Sequence, residues 1–123
     1  MKAQIFIRKH ILYVRLNGEL DSSVANSLRI KISELIDNYN IRFLVLNCEK
    51  LTFMDSSGIG FIIGRFNQLK EKNGKIFMCD LDDVIKRIVK LSGISRIVSI
   101  KETEEDVNSY LEGNYDKVHE SAV

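Results

Sequence analysis

Asp55, Ser56, Ser57 and Gly58 stand together in the segment Phe53-Met54-Asp55-Ser56-Ser57-Gly58-Ile59-Gly60, where an apolar run gives way to a helical pattern. One carboxylate and two hydroxyls at a helix start allow three kinds of chemistry. Ser56 or Ser57 can cap the helix by accepting a hydrogen bond from one of its unpaired first N–H groups. Ser56 can act as a nucleophile. Or Ser56 can carry a phosphate, because free N–H groups and the positive end of the helix dipole favour an anion there.

The nucleophile fares worst. It needs a base within hydrogen-bond reach, and the only histidines are His10, in a predicted hairpin turn, and His119, near the polar end of the chain. No Gly-x-Ser-x-Gly elbow surrounds the serines, and Asp55 is too acidic at its ordinary pKa to serve as base. The sequence therefore argues against an enzyme. Gly58, Gly60 and Gly64 resemble part of a glycine-rich phosphate loop but lack the closing Lys-Ser/Thr and fall inside the helix. No His/Cys/Asp cluster has metal-ligand spacing, so neither metal nor cofactor is expected. A phosphorylation switch remains, beside the plain cap.

The elements that must position this segment follow from periodicity. Gln4–Lys9 and Ile11–Asn17 read as a hairpin turning at Lys9-His10, with Leu12, Val14 and Leu16 alternating against Tyr13 and Arg15. Asn17 to Asp21 reads as a loop. Asp21, Ser22 or Ser23 then caps a helix over about 22–39, with Ala25, Leu28, Ile32, Leu35, Ile36 and Tyr39 on its apolar side. Phe43–Leu46 and Ile76–Cys79 are continuous apolar runs of buried parallel strands. Between them a helix runs from Ser57 to about Lys72 and stops at Asn73-Gly74. Asp82 or Asp83 caps a third helix, ended by Ser92-Gly93. Ile97–Ile100 is a short strand, and Thr103 with Asp106 opens a last helix through Leu111. The order β-β-α-β-α-β-α-β-α predicts an α/β domain with a mixed sheet, an N-terminal hairpin and helices packed on the sheet. The folded unit is expected over 1–111, with a polar tail over 112–123. Charge runs such as Glu102–Asp106 read as solvated helix faces.

Advancing 100° per residue along the helix from Ser57 puts Ile59, Ile62, Ile63, Phe66 and Leu69 on one face, expected to pack on the sheet. The opposite face carries Ser57, Gly60, Phe61, Gly64 and Gln68, with Ser56 and Arg65 at its margins. Two interior glycines cost about 1 kcal/mol each relative to alanine. On a face away from the core they suit a surface that another molecule approaches closely, with Phe61 as its aromatic anchor. A phosphate on Ser56 would stand at the edge of that surface and obstruct it.

Composition sets the remaining bounds. The 123 residues suit one domain, 45% hydrophobic and 28% charged, and 18 basic against 17 acidic residues give a net charge of +1. That balance gives no reason to expect nucleic acid or membrane as a partner. The longest apolar stretch, Ile59 to Gly64, is far too short to cross a bilayer. Charges interrupt the N-terminus within eight residues, unlike a signal peptide. Cys48 and Cys79 read as buried free thiols. A cytoplasmic protein is expected.

Leu16-Asn17-Gly18-Glu19-Leu20-Asp21, Val45-Leu46-Asn47, Phe53 to Gly60, Ile63-Gly64-Arg65 and Leu91-Ser92-Gly93 resemble the bacterial anti-sigma factor antagonists of the STAS domain family, most of all the sporulation stage II protein AA type. The likeness covers about residues 3–111 and implies a single STAS domain. It places the phosphorylation site on Ser56, the first serine of Asp-Ser-Ser-Gly, and Asp21 in a loop near the phosphoserine and the partner. It implies that the unphosphorylated form binds an anti-sigma factor and so frees a sigma factor for transcription. That partner is also a serine kinase using ATP, and a metal-dependent serine phosphatase reverses the mark. Ser57, Gly58, Gly60, Phe61, Gly64 and Arg65 join Asp21 as the expected docking residues, on a chain expected to be monomeric when free. The competing readings are a STAS interaction module of a scaffold or transport complex without a phosphoswitch, and a nucleotide- or small-molecule-binding domain.

Overall fold

A computed structural model describes residues 2–121, with side chains through Gly113. Its elements are β1 (Lys2–Arg8), β2 (Ile11–Leu20), α1 (Ser22–Asn38), β3 (Phe43–Met54), α2 (Ser56–Lys70), β4 (Lys75–Cys79), α3 (Asp83–Ser92), a 3-10 turn (Ile94–Arg96), β5 (Ser99–Lys101) and α4 (Glu104–Ser121). The five strands lie in the order β1-β2-β3-β4-β5, antiparallel between β1 and β2 and parallel thereafter. Each parallel strand sits one place further along the sheet than the last. Right-handed crossovers taken repeatedly in one direction put α1, α2 and α3 on a single face. The larger core lies there, built on Leu12, Val14, Leu44 and Leu46 with Ile32, Ile36, Ile62 and Ile85. The chain returns as α4 over the opposite face, where Val107 and Leu111 meet Tyr13, Val45 and Phe77.

Local chemistry explains most boundaries. The β1–β2 turn at Lys9 takes φ 58°. Asp82 caps α3 by accepting from Ile85 N at 2.9 Å, and Gly93 ends it at φ 85°, a left-handed conformation that glycine adopts freely. Thr103 and Asp106 form the reciprocal box expected at α4, with Asp106 N donating to Thr103 Oγ1 at 3.1 Å and Thr103 N to Asp106 Oδ2 at 3.3 Å. On α1, Ala25, Leu28, Ile32 and Ile36 are buried, whereas Tyr39, the C-cap, is 57% exposed.

Two expectations are corrected. Residues 17–20 are strand, not loop: β2 runs on beside β3 to the pair Leu20–Met54, absorbing irregularities after Arg15 and at Gly18, whose φ is 108°. The final helix also continues beyond Leu111, to Ser121. The expected polar tail over 112–123 ends outside the described residues, as do the side chain of His119 and its surroundings. Among the described residues no helix is long and apolar enough to cross a membrane.

Candidate functional site

The parallel register of β2 and β3 builds the site. Both strands end together at Leu20 and Met54, with Asp55 N reaching Leu20 O at 3.5 Å. Each is followed by one extended aspartate and then a helix. Asp21 caps α1 by accepting from Val24 N at 3.0 Å, and Asp55 caps α2 by accepting from Ser57 N at 2.9 Å and Gly58 N at 3.4 Å. Two helix N-termini therefore start side by side beyond the C-terminal ends of β2 and β3, and both direct positive dipole ends there. Between the starts lies a groove of about 230 Å³ lined by Ser22, Asn26, Arg29, Ser57, Gly60 and Phe61.

The cap of α2 is thus Asp55, and neither serine performs that role. Ser56 is the first helical residue and is exposed, with its hydroxyl not needed for the cap; Ser57 is half-buried against the groove. Asp55 has a carboxylate oxygen committed to backbone N–H groups, which suits a cap and not a base. His10 sits in the β1–β2 turn, with its Nδ1 3.0 Å from Asn40 O, at the opposite end of β2 from this site.

The faces of α2 differ from the expectation. Its buried residues are Gly58, Phe61, Ile62, Arg65 and Leu69, a face rotated by about 80° from the one read off the apolar spacing. The reason is α1. The helix packs on the sheet on one side and on α1 on another, so its inner surface spans both contacts. Phe61 turns into the core and is 3% exposed, Arg65 is 9% exposed, and Ile63 is left 41% exposed. Phe61 and Arg65 are accordingly not an outward docking face. Gly58 is a packing residue too, since a Cβ there would stand 2.5 Å from Met54 Cγ and 3.0 Å from Leu20 Cδ2. Gly60 and Gly64 do stand clear, with nothing within 4 Å of an added Cβ. The outward stripe runs Ser56, Gly60, Ile63, Asn67, at helical intervals of four, three and four. Sequence reasoning missed Ile63 because an isoleucine among isoleucines reads as core.

Arg65 and Gln68 fill the α1–α2 seam. Gln68 Nε2 donates to Ser33 O at 3.0 Å and Asp37 Oδ1 at 3.1 Å, while Gln68 Oε1 and Arg65 Nε and Nη1 are buried without partners. The Arg65 guanidinium lies 5.7 Å from the Phe61 ring centroid. Burial pushes its pKa down, and the charge of Arg29 adds to that against the opposing pull of Asp37.

A second polar cluster occupies the other face of the sheet. Glu104, placed by sequence in a solvated charge run, instead accepts from Arg15 Nη2 at 2.7 Å, Arg15 Nε at 3.1 Å and Asn47 Nδ2 at 3.1 Å. Its own backbone N–H donates to Asp80 Oδ2 at 3.1 Å. The Arg15 hydrogen bonds hold the Glu104 carboxyl below the usual carboxylate range, with that of Asn47 adding to them against the opposing effect of burial. The cluster docks the start of α4. The one available signal was Asn47, a polar residue closing an apolar strand run.

Comparison with known proteins fits this arrangement. The family model for the STAS domain matches residues 2–107. An anti-sigma F factor antagonist of Paenibacillus polymyxa is 35% identical over 114 residues, covering 91% of this chain and 97% of that protein. An anti-sigma-B factor antagonist of Listeria monocytogenes is 28% identical over 74% of this chain and 79% of its own length. The solved structure of the anti-sigma factor antagonist SpoIIAA in its unphosphorylated form superposes with a TM-score of 0.76 at 26% identity, covering 91% of this chain and 99% of that one. The Bacillus cell fate determinant SpoIIAA in its phosphorylated form gives 0.71 at 27%, over 89% and 99%.

Proposed function

The chain belongs to the STAS domain family of anti-sigma factor antagonists, and from that membership we propose that it is a phosphorylation-switched binding module, not an enzyme. In its unmodified form it binds an anti-sigma factor and so frees a sigma factor. The partner, a serine kinase using ATP, phosphorylates Ser56 and ends the complex; a serine phosphatase restores it. The chain works as a monomer when free, in the cytoplasm.

The observation that carries this reading is the place of Ser56. It is exposed at the first position of α2, at the head of the outward stripe through Gly60 and Ile63. Phosphorylation adds −1.5 to −2 charges at neutral pH, on a helix start that tolerates them. The same charge stands where a partner crossing Gly60 must desolvate the surface. Docking then uses Ser56, Ser57, Gly60, Ile63 and the half-buried Gly64, with Asp21 holding the neighbouring helix start. Phe61 acts from below, by fixing α2 against α1.

The test is binding to the partner kinase. Ser56→Ala is expected to bind as the unmodified protein does and to accept no phosphate. Ser56→Asp is expected to lose about a hundredfold in affinity, the scale of a buried charge left without a counter-ion at an interface. Equal affinity of Ser56→Asp would overturn the switch. Incubation with kinase and ATP that leaves Ser56 unmodified would favour a scaffold module without a phosphoswitch.

A further inference from the structure

The first strand leaves one side of the sheet open. β1 is an edge strand whose 7 residues pair only with β2, from Lys2–Asn17 to Arg8–Ile11 and without an irregularity. The hairpin turns in two residues, Lys9 and His10, so Arg8 and Ile11 close it as a hydrogen-bonded pair. The alternation that follows aims the N–H and C=O groups of Lys2, Gln4, Phe6 and Arg8 at β2. Those of Ala3, Ile5 and Ile7 point to the open side. Proteins blunt such an edge with a bulge, a proline or a charge in mid-strand. β1 has none of these, since its register is regular, the chain contains no proline and residues 3–7 carry no charge.

The same residues border an apolar groove. Ala3, Ile5 and Ile7 turn their half-buried side chains toward the larger core, on the α1 side of the sheet. Between Ala3, Ile5 and the flank of α1 formed by Val24, Ser27, Leu28 and Lys31 lies a space of about 320 Å³. That is the bottom of the range of about 300–1,000 Å³ for small-molecule sites. A strand laid about 4.8 Å beyond β1 would direct alternate side chains toward it. The charges nearby have one sign. Lys31 stands on the α1 wall, Lys2 and Arg8 are exposed at the two ends of β1, and among the described residues the lining includes no carboxylate.

We propose that the β1 edge and this groove bind an extended segment of a partner protein as a further strand, with apolar side chains over the groove and acidic residues at its ends. A second copy of this chain fits worse. Two β1 strands paired antiparallel about Ile5 would set Lys2 of each against Arg8 of the other, and like charges directly opposite are destabilising. This surface occupies the other flank of α1 from the groove beside Ser57, so it does not rest on the phosphoswitch reading.

The experiment adds a capped peptide, Asp-Val-Thr-Val-Thr-Val-Glu, to labelled full-length protein and reads amide hydrogen exchange by NMR. Without peptide, the Gln4, Phe6 and Arg8 amides are expected to be protected, and those of Ile5 and Ile7 to exchange freely. Peptide is expected to protect Ile5 and Ile7 as well, with a dissociation constant on the order of 0.1 mM. Two further peptides are N-methylated, one at its valines and the other at its threonines, and only the set facing β1 is expected to abolish binding. Replacing both acidic ends by lysine is expected to weaken binding about tenfold, and Lys31→Glu, at an exposed position, about fivefold. Peptide that protects neither isoleucine at millimolar concentration overturns the proposal, as does unweakened binding by both N-methylated peptides. Equal binding by the lysine-ended peptide overturns the acidic partner. Protection of Ile5 and Ile7 that grows with protein concentration in the absence of peptide would give the edge to a second copy and overturn the proposal too.

Discussion

Arg15 and Arg65 lie on opposite sides of the same sheet and meet opposite treatment. Arg15 keeps 41% of its side chain exposed, yet grips Glu104 through two nitrogens and reaches Gln4 Oε1 at 3.4 Å with a third. Arg65 is 9% exposed and has two buried nitrogens with no partner at all. If both served stability, the more deeply buried cation would be the better paired one. The α4 face thus shows what this chain does with a polar group that holds the fold together. The α1–α2 layer, with its open glycines, exposed Ile63 and uncompensated arginine, shows what it leaves for something else to complete.

The largest effect that sharpens this contrast is expected on the paired side. Glu104→Ala removes the acceptor for Arg15 and leaves Asn47, 8% exposed, with an unpaired amide. An unsatisfied buried donor costs about 1–3 kcal/mol, and the half-exposed Arg15 adds little, so a loss of about 2 kcal/mol is expected in urea unfolding. A loss near zero would mean the network is ornamental and the comparison empty. On the unpaired side the sign should reverse. Arg65→Met keeps the length, removes the buried charge and is expected to raise stability by about 1 kcal/mol. If it instead destabilises as Glu104→Ala does, Arg65 is structural.

A smaller effect separates the glycines of α2. Gly60→Ala meets nothing within 4 Å and is expected to stabilise the helix by about 0.5–1 kcal/mol while weakening the partner complex. Gly58→Ala, against Met54 and Leu20, is expected to destabilise and to affect binding only through folding. Paired thermal melts and binding curves distinguish them, since only Gly60→Ala should move stability and affinity in opposite directions.

These residues also show what was legible in the chain. Most caps, the turns and the order of elements along the chain were readable because each depends on a few neighbours: Asp82, Gly93 and the Thr103–Asp106 box act within one helical turn, whereas the cap of α2 fell to Asp55 and to neither serine. The layer that places Ser56 beside a helix start was readable for the same reason. The orientation of α2 was not. Its apolar residues Ile59, Ile62, Ile63 and Phe66 define a face only if one surface covers the helix, and α1 supplies a second that draws in Phe61 and Arg65. Nor was the partner of Glu104, because Arg15 and Asn47 are brought to it by strand register across most of the chain.

The smallest effect is a pH dependence, and its sign tests the same contrast. Glu104 has a folded pKa below its unfolded value because Arg15 and Asn47 stabilise the charged form. Its contribution is therefore fully present above the ordinary carboxylate range and is lost as pH falls through the folded pKa. With Arg15 41% exposed and screened by solvent, that contribution is expected to be under about 1 kcal/mol. Arg65 stays charged throughout, so it adds no matching dependence of its own over this range. Comparing urea midpoints of the parent chain and Glu104→Gln at neutral pH and near pH 3 isolates the effect. The gap between the two proteins should narrow as the solution is acidified. A gap that is constant with pH would show that the carboxylate is not held by Arg15 as a charge, and the ion pair would then be no better satisfied than the arginine on the far side of the sheet.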